Sequence, residues 1–322
     1  MPYSQILSTG SYVPERVVTN AEVDALIGEA TSDWLIANVG IRERRWMAPD
    51  QTTSDLVVEA ARRALARVGL EPADLDLIIV STDTPDYLSP ATSAVVQHKL
   101  GASRAGFYDV NSACAGWILA ADQGARYLLT EPGAKYVLVA GGYSISRYLD
   151  FKDKKTANIF ADGAGAAILG RGDAPGWLGT SLLSMGSFHD TLGIYAKNPE
   201  TFGSPRLEFV RPFPRTFSTE NWPKLMREVL NKVGLSFDAV DHYYFTQINL
   251  RIIEEVMETI GQPLSKTHWV MDKWGYTGSP SMIIALDDAI AQGRGPLPGE
   301  TILFCGSGGG ITMAASVWKW TV

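Results

Sequence analysis

Cysteine is almost absent from this chain: there are two in 322 residues, Cys114 and Cys305. So distant a pair gives no disulfide framework, and the expected compartment is a reducing cytoplasm. Histidine is scarce as well. His98, His189, His242 and His268 stand apart from one another and from the cysteines, so no metal-ligand spacing is present and no metal is expected. No apolar run reaches the roughly 18 residues of a membrane span. The opening Met1-Pro2-Tyr3-Ser4-Gln5 lacks the basic-then-apolar order of a signal peptide. Positive charge is in deficit: 28 Lys and Arg against 35 Asp and Glu leave a net charge of −7. That balance speaks against a general nucleic-acid binder.

What is present is an ordinary globular composition, long enough for two domain-sized halves. Strand-like and helix-like runs alternate, which predicts an α/β layered fold. Thr53 or Ser54 is expected to cap a helix running to Val68, with Gly69 as its stop. Residues 75–82, 135–140 and 164–169 read as strands, and 93–100 as a helix. The stretch 184–218, rich in Gly, Pro and aromatics, is a long connection or a pocket lining. A second alternating set begins near Trp222.

The second set echoes the first. Ala64-Leu65-Ala66-Arg67-Val68-Gly69-Leu70, then Asp76, is matched by Val229-Leu230-Asn231-Lys232-Val233-Gly234-Leu235, then Asp241. The offset is constant (234 − 69, 241 − 76 and, for Gly141 and Gly306, 306 − 141 are all 165). Duplication of one α/β unit leaves such a pattern.

Cys114 carries the chemical signal. It lies in Asp109-Val110-Asn111-Ser112-Ala113-Cys114-Ala115-Gly116-Trp117, between a strand-like run (105–110) and a helix-like run (115–129). A thiol at a helix mouth faces unpaired N–H groups and the positive end of the helix dipole, so the thiolate is expected to be favoured. A nucleophile usually also needs a base. His189-Asp190 is either a replacement base or a solvated pair. Cys305, inside the apolar run 301–305, reads as core.

The chain resembles β-ketoacyl-acyl carrier protein synthase III, a ketosynthase of the thiolase superfamily. The resemblance runs through Gly10-Ser11-Tyr12-Val13-Pro14, Trp34 with Gly40-Ile41-Arg42-Glu43-Arg44-Arg45, and Ser112-Ala113-Cys114-Ala115-Gly116. It continues through Asp162-Gly163-Ala164-Gly165-Ala166, Asn249-Leu250-Arg251-Ile252-Ile253 and Gly308-Gly309-Gly310. It implies two duplicated α/β halves, 1–172 with the nucleophile and 173–322, in a five-layer α-β-α-β-α thiolase-like fold. In that family the cysteine takes an acyl group from a coenzyme A thioester. A histidine and an asparagine then help decarboxylate a malonyl thioester, whose carbanion attacks the acyl group. The stretch similar to the family's His-Gln-Ala-Asn is Thr246-Gln247-Ile248-Asn249, and that similar to Gly-Asn-Thr is Gly275-Tyr276-Thr277. The resemblance therefore carries over Cys114 and, for the oxyanion hole, the backbone N–H groups of Cys114 and Gly308. It withholds both decarboxylation residues.

Decarboxylation leaves negative charge on a thioester oxygen, and losing one donor to such an oxyanion costs about 3–4 kcal/mol. Thr246 offers one weak hydroxyl and Tyr276 a phenol, neither a useful base near neutrality. Each is a catalytic stand-in or simply a hydrogen-bonding core or pocket residue. Acyl loading keeps its parts, so an acyl-Cys114 thioester is expected. An alcohol, amine or sugar hydroxyl as acceptor makes the protein an acyltransferase of lipid, polyketide or secondary-metabolite biosynthesis, with impaired decarboxylative condensation. The alternatives are a carbon–carbon condensing enzyme using a β-ketoacyl or malonyl thioester, and a weakly active partner in a heterodimeric ketosynthase.

For the donor, the resemblance implies that Trp34 stacks on adenine, the alternative being a core indole. Asn38 and Lys154 stand where the family carries nucleotide-supporting arginines, and a lysine meets phosphate only as a point charge. Arg251 and Lys224 match a basic patch that docks acyl carrier protein, whereas Glu258 reverses a third member. Asn249 joins the expected substrate-binding set. Ser89 aligns with a bulky Phe that crosses the dimer interface in the family, which implies room for a larger acyl chain. A homodimer, or a heterodimer, with acyl-CoA as substrate and no permanently bound cofactor completes the expectation.

Overall fold

The computed structural model describes residues 3–195, 205–212, 214 and 216–322. The helix Thr53–Val68 shows how local sequence places an element. Leu56, Val57, Ala60, Ala61, Ala64 and Leu65 recur at helical spacing and are all buried. Its start is one residue earlier than the sequence suggested. Thr52 is the cap, because the Asp55 carboxylate accepts from both the backbone N–H and the hydroxyl of Thr52 at 2.8 Å. Gly69 ends the helix at φ 64°, a left-handed conformation that glycine adopts without strain. The other expected elements are present with shifted ends: strands Leu77–Ser81, Tyr136–Tyr143 and Gly163–Gly172, and the helix Thr92–Leu100. The second set opens earlier than expected, with the helix Phe217–Lys232.

Two sheets carry the molecule. The first runs, strand beside strand, Tyr3–Tyr12, Gly163–Gly172, Tyr136–Tyr143, Leu77–Ser81, Gly106–Val110. The second runs Trp177–Ser184, Thr312–Lys319, Thr301–Gly308, His242–Phe245. Leu77–Ser81 is parallel to both neighbours and buried along its length, hence its unbroken apolar sequence. The 165-residue offset holds in the hydrogen bonding. Asp76 accepts at its carboxylate from the N–H groups of Lys135 and Tyr136, while its own N–H donates to the Tyr136 carbonyl. Asp241 accepts from the Thr301 N–H at 2.8 Å and donates its N–H to the Thr301 carbonyl. Each aspartate thus locks the start of a parallel pair, with Leu77 against Val137 in one sheet and His242 against Ile302 in the other (242 − 77 and 302 − 137 are both 165).

Five layers result. Helices Gly116–Thr130 and Ser281–Ala291 lie between the sheets, where Trp117, Ile118, Ile283 and Leu286 pack with Ile79 and Val139 of the first sheet and Tyr244 and Phe304 of the second. Thr53–Val68 and Thr92–Leu100 cover the outer face of the first sheet. Phe217–Lys232 and Leu250–Thr259 cover that of the second. The order is α-β-α-β-α. A Cβ on Gly165 would stand 2.4 Å from Ile283, so that glycine lets a central helix close on its sheet. Cutting a central side chain such as Leu286 to alanine costs about 2–5 kcal/mol.

The connection 184–218 holds a small antiparallel ribbon, Leu192–Ile194 with Leu207–Phe209. Residues 196–204, 213 and 215 of it lie outside the described residues. Among the described residues no helix is long and apolar enough to cross a membrane.

Candidate active site

The strand Gly106–Val110 delivers Asn111 and Ser112 to a tight turn, Ala113–Ala115, ahead of the helix Gly116–Thr130. Ala113 takes φ 44°, a costly conformation for a residue with a Cβ, and the Asn111 side chain braces it by accepting from the Ala113 N–H at 3.2 Å. Cys114 sits on this turn, 7% exposed. The Gly308 backbone lies against it. A Cβ there would fall 2.3 Å from the Ser112 carbonyl oxygen and 2.9 Å from the Cys114 nitrogen, so only glycine fits.

A cavity of about 760 Å³ leads to the thiol. Its deep residues include Cys114, Gly308, Thr246 and Tyr276; Trp34, Asn38, Asn249 and Arg251 line it nearer the surface. Trp34 is 60% exposed, so it is not a core indole. The Arg251 guanidinium donates to the Ala37 carbonyl, and the Asn249 side chain caps the helix Leu250–Thr259 by accepting from the Arg251 N–H. Three expected site residues are not brought to this cavity. Lys154 is on the surface in an ion pair with Glu29 at 2.8 Å, and Lys224 and Ser89 are exposed outside the lining. Cys305 is fully buried in its strand, and burial raises its thiol well above the ordinary range.

Thr246 and Tyr276 bear on the nucleophile. Tyr276 acts on the Cys114 thiol in the direction that favours the thiolate, and Thr246 acts on the Tyr276 phenol in the direction that favours its ionised form. Tyr276 is 1% exposed, packed on Phe160 at 5.6 Å between ring centroids. Burial lifts its phenol well above 10, so it donates and does not ionise. The expected thiolate is overturned. Burial, then the negative charge of Asp83, push the Cys114 thiol up to about 12, against the hydrogen bonds from Tyr276 and the backbone. Desolvation of the thiolate is the largest of these effects.

Asp83 is the residue that the sequence reading missed. A second cavity of about 270 Å³ also reaches Cys114, and its lining includes Asp83, Asn111, Tyr143, Phe160 and Leu207. Among the described residues the buried Asp83 Oδ1 has no hydrogen-bond partner, and burial raises the carboxyl to about 6. The available signal was a carboxylate just beyond a buried parallel strand, where α/β folds gather functional groups. His189 lies exposed at this cavity, while Asp190 is held by Arg211 at 2.8 Å.

Comparison with known proteins agrees with this geometry. The family described as 3-oxoacyl-[acyl-carrier-protein (ACP)] synthase III matches residues 108–186, and its C-terminal part matches residues 230–320. The acetoacetyl CoA synthase NphT7 of Streptomyces sp. (strain CL190) is 37% identical over 98% of both chains. The 3-oxoacyl-[acyl-carrier-protein] synthase III of Aquifex aeolicus VF5 superposes with a TM-score of 0.89 at 31% identity, covering 98% of this chain and 100% of that one. The priming β-ketosynthase of the R1128 polyketide pathway gives 0.90 at 31% identity, covering 99% of this chain and 96% of that one. With its thiolase-like fold and these relatives, the chain belongs to the 3-oxoacyl-[acyl-carrier-protein] synthase III family.

Proposed function

We propose that the protein is an acyltransferase that loads an acyl group from acyl-CoA, or from acyl carrier protein, onto Cys114 and passes it to an acceptor in lipid, polyketide or secondary-metabolite biosynthesis. One observation carries the reading: the deep end of the large cavity keeps Cys114 and Gly308 but is lined there by Thr246 and Tyr276. Loading forms the Cys114–acyl bond and breaks the donor's thioester bond, and the thiol proton leaves on the coenzyme A sulfur. The backbone N–H groups of Cys114 and Gly308 receive the oxyanion. Decarboxylation of a malonyl thioester is impaired, because no imidazole or carboxamide faces the enolate from positions 246 and 276.

Trp34 and Arg251, on the outer lining, meet the nucleotide end of the donor. Asn38 and Asn249 complete that lining, and Lys154 and Lys224 act on the surface beyond it. The edge strand Gly106–Val110, with Phe107 43% and Tyr108 39% exposed, supports a homodimer through that edge, and a cytoplasmic setting suits a coenzyme A ester.

The test is intact mass after incubation with acyl-CoA donors. An adduct that disappears in Cys114→Ala supports the reading, and no adduct with any donor favours an inactive partner in a heterodimer. Likeness to an acetoacetyl CoA synthase favours a second reading, carbon–carbon condensation. Release of carbon dioxide from malonyl-CoA, with a β-ketoacyl product, would establish it in place of acyl transfer.

A further inference from the structure

We propose that Asp83 is the base of the second half-reaction, and that the acceptor is consequently a protic nucleophile, an alcohol or amine, which must surrender a proton as it attacks. The inference rests on the acyl-transfer reading above and supplies what that reading lacks.

The argument begins with the electron pair. A malonyl thioester makes its own nucleophile by losing carbon dioxide. It needs donors for the enolate oxygen and no base. An alcohol or amine needs the reverse, a group that takes a proton within reach of the acyl carbon. This chain shows the second pattern. Thr246 and Tyr276 line the same cavity as the thiol and bring two hydroxyls where an imidazole and a carboxamide would serve an enolate. Asp83 lines a cavity that reaches the nucleophile, and its Oδ1 is buried with no hydrogen-bond partner among the described residues. A buried polar atom without a partner is costly, and such atoms mark sites where a ligand completes the bonding. The cavity is walled by Phe160, Leu192, Ile194 and Leu207, and Asn111, Tyr143, His189 and Tyr195 are polar residues of its lining, so an acceptor bound there meets both apolar walls and hydrogen-bonding groups.

The steps balance. The acceptor oxygen or nitrogen bonds to the acyl carbon while its proton passes to Asp83. The oxyanion forms against the N–H groups of Cys114 and Gly308. The carbon–sulfur bond then breaks, its electron pair returns to Cys114, and the proton moves from Asp83 to that sulfur. This last move runs downhill, from a carboxyl near 6 to a thiol near 12, and restores the starting state. The groups that feel the Asp83 charge are Cys114, Tyr143, Tyr148 and Tyr276, none of them ionised near neutrality. His189, on the same cavity, is the other group that a pH profile has to separate.

The experiment uses p-nitrophenyl butyrate, whose burst of nitrophenol reports acylation of Cys114 and whose steady rate reports deacylation by water. Added n-propanol tests an alcohol acceptor through the propyl butyrate formed. Deacylation in the wild type is expected to rise through about pH 6 and then level. In Asp83→Asn the steady rate should fall about 10²-fold or more, and the rise should vanish. Asp83→Glu should regain part of both, and His189→Gln should keep the inflection. Wild-type deacylation with an unchanged profile in Asp83→Asn overturns the proposal, and so does loss of the inflection only in His189→Gln. Butyryl-CoA is tried beside the ester. Failure of the CoA donor alone counts against the donor assignment and leaves the test of Asp83 intact.

Discussion

Tyr276 and Cys114 meet at the deep end of the large cavity, where each bears on the acidity of the other and Thr246 bears on the Tyr276 phenol. Tyr276 favours the thiolate, against the burial that disfavours it. A hydrogen bond to a charged group is worth about 1.5–3 kcal/mol, roughly one to two pKa units. Tyr276→Phe should therefore slow alkylation by iodoacetamide at neutral pH about tenfold or more, and the pH profile should move to higher pH. Cys305 is fully buried, so the alkylated site is Cys114, which peptide mapping verifies.

Gly308 gives a harsher prediction. The methyl group of Gly308→Ala would meet the Ser112 carbonyl oxygen at 2.3 Å, and backbone must shift to relieve it. The shift moves an N–H that receives the oxyanion. The rate of acyl-Cys114 formation, read by intact mass over time, should fall about 10²–10³-fold. Normal loading in this variant would remove Gly308 from the oxyanion hole.

How far the sequence showed this site depends on the range over which each property is set. The nucleophile turn and the Gly308 loop were legible, because a strand–turn–helix passage and a glycine run are local patterns. The two aspartates that start the parallel pairs were legible as a repeat, since each acts on a strand start that shares the offset. The Cys114 protonation state was not. It follows from walls supplied by residues 83, 143 and 276, brought together only by folding. Asp83 escaped notice for a related reason: one carboxylate after a strand has no period, and nothing in its neighbours shows that its oxygen lacks a partner. Lys154 matched a family position, yet Glu29, 125 residues away in the chain, holds its ammonium at the surface.

Trp34 separates binding from stability. It is 60% exposed, so Trp34→Ala should leave the melting temperature nearly unchanged. Stacking of an aromatic ring on a base is worth about 1–3 kcal/mol. KM for an acyl-CoA should rise about tenfold, while that for the matching N-acetylcysteamine thioester, which has no nucleotide, stays the same. An equal rise for both donors would assign Trp34 to the cavity wall and not to adenine.

Asp83 and Asp162 share an acidity but should respond oppositely to neutralisation. Burial raises both carboxyls from 3.8 to about 6. Between those values the folded state holds a proton that the unfolded chain has released. Stability therefore falls as pH rises through about 4 to 6, and the loss is complete above that window. For two units this is on the order of 2–3 kcal/mol for each group. Asp83→Asn removes the penalty at Oδ1, which has no partner among the described residues, so the variant should melt a few degrees higher than the wild type at pH 8 and level with it at pH 4. Asp162 has working partners: its oxygens accept from the Ser146 and Met47 N–H groups at 2.9 and 2.8 Å and from the Ser146 hydroxyl. Asp162→Asn places an amide N–H₂ against those donors, so it should lower the melting temperature at pH 8. A stabilising Asp83→Asn that also loses deacylation would mark a carboxylate kept for chemistry at the expense of the fold. A destabilising one would mean that Asp83 holds the strand end together instead.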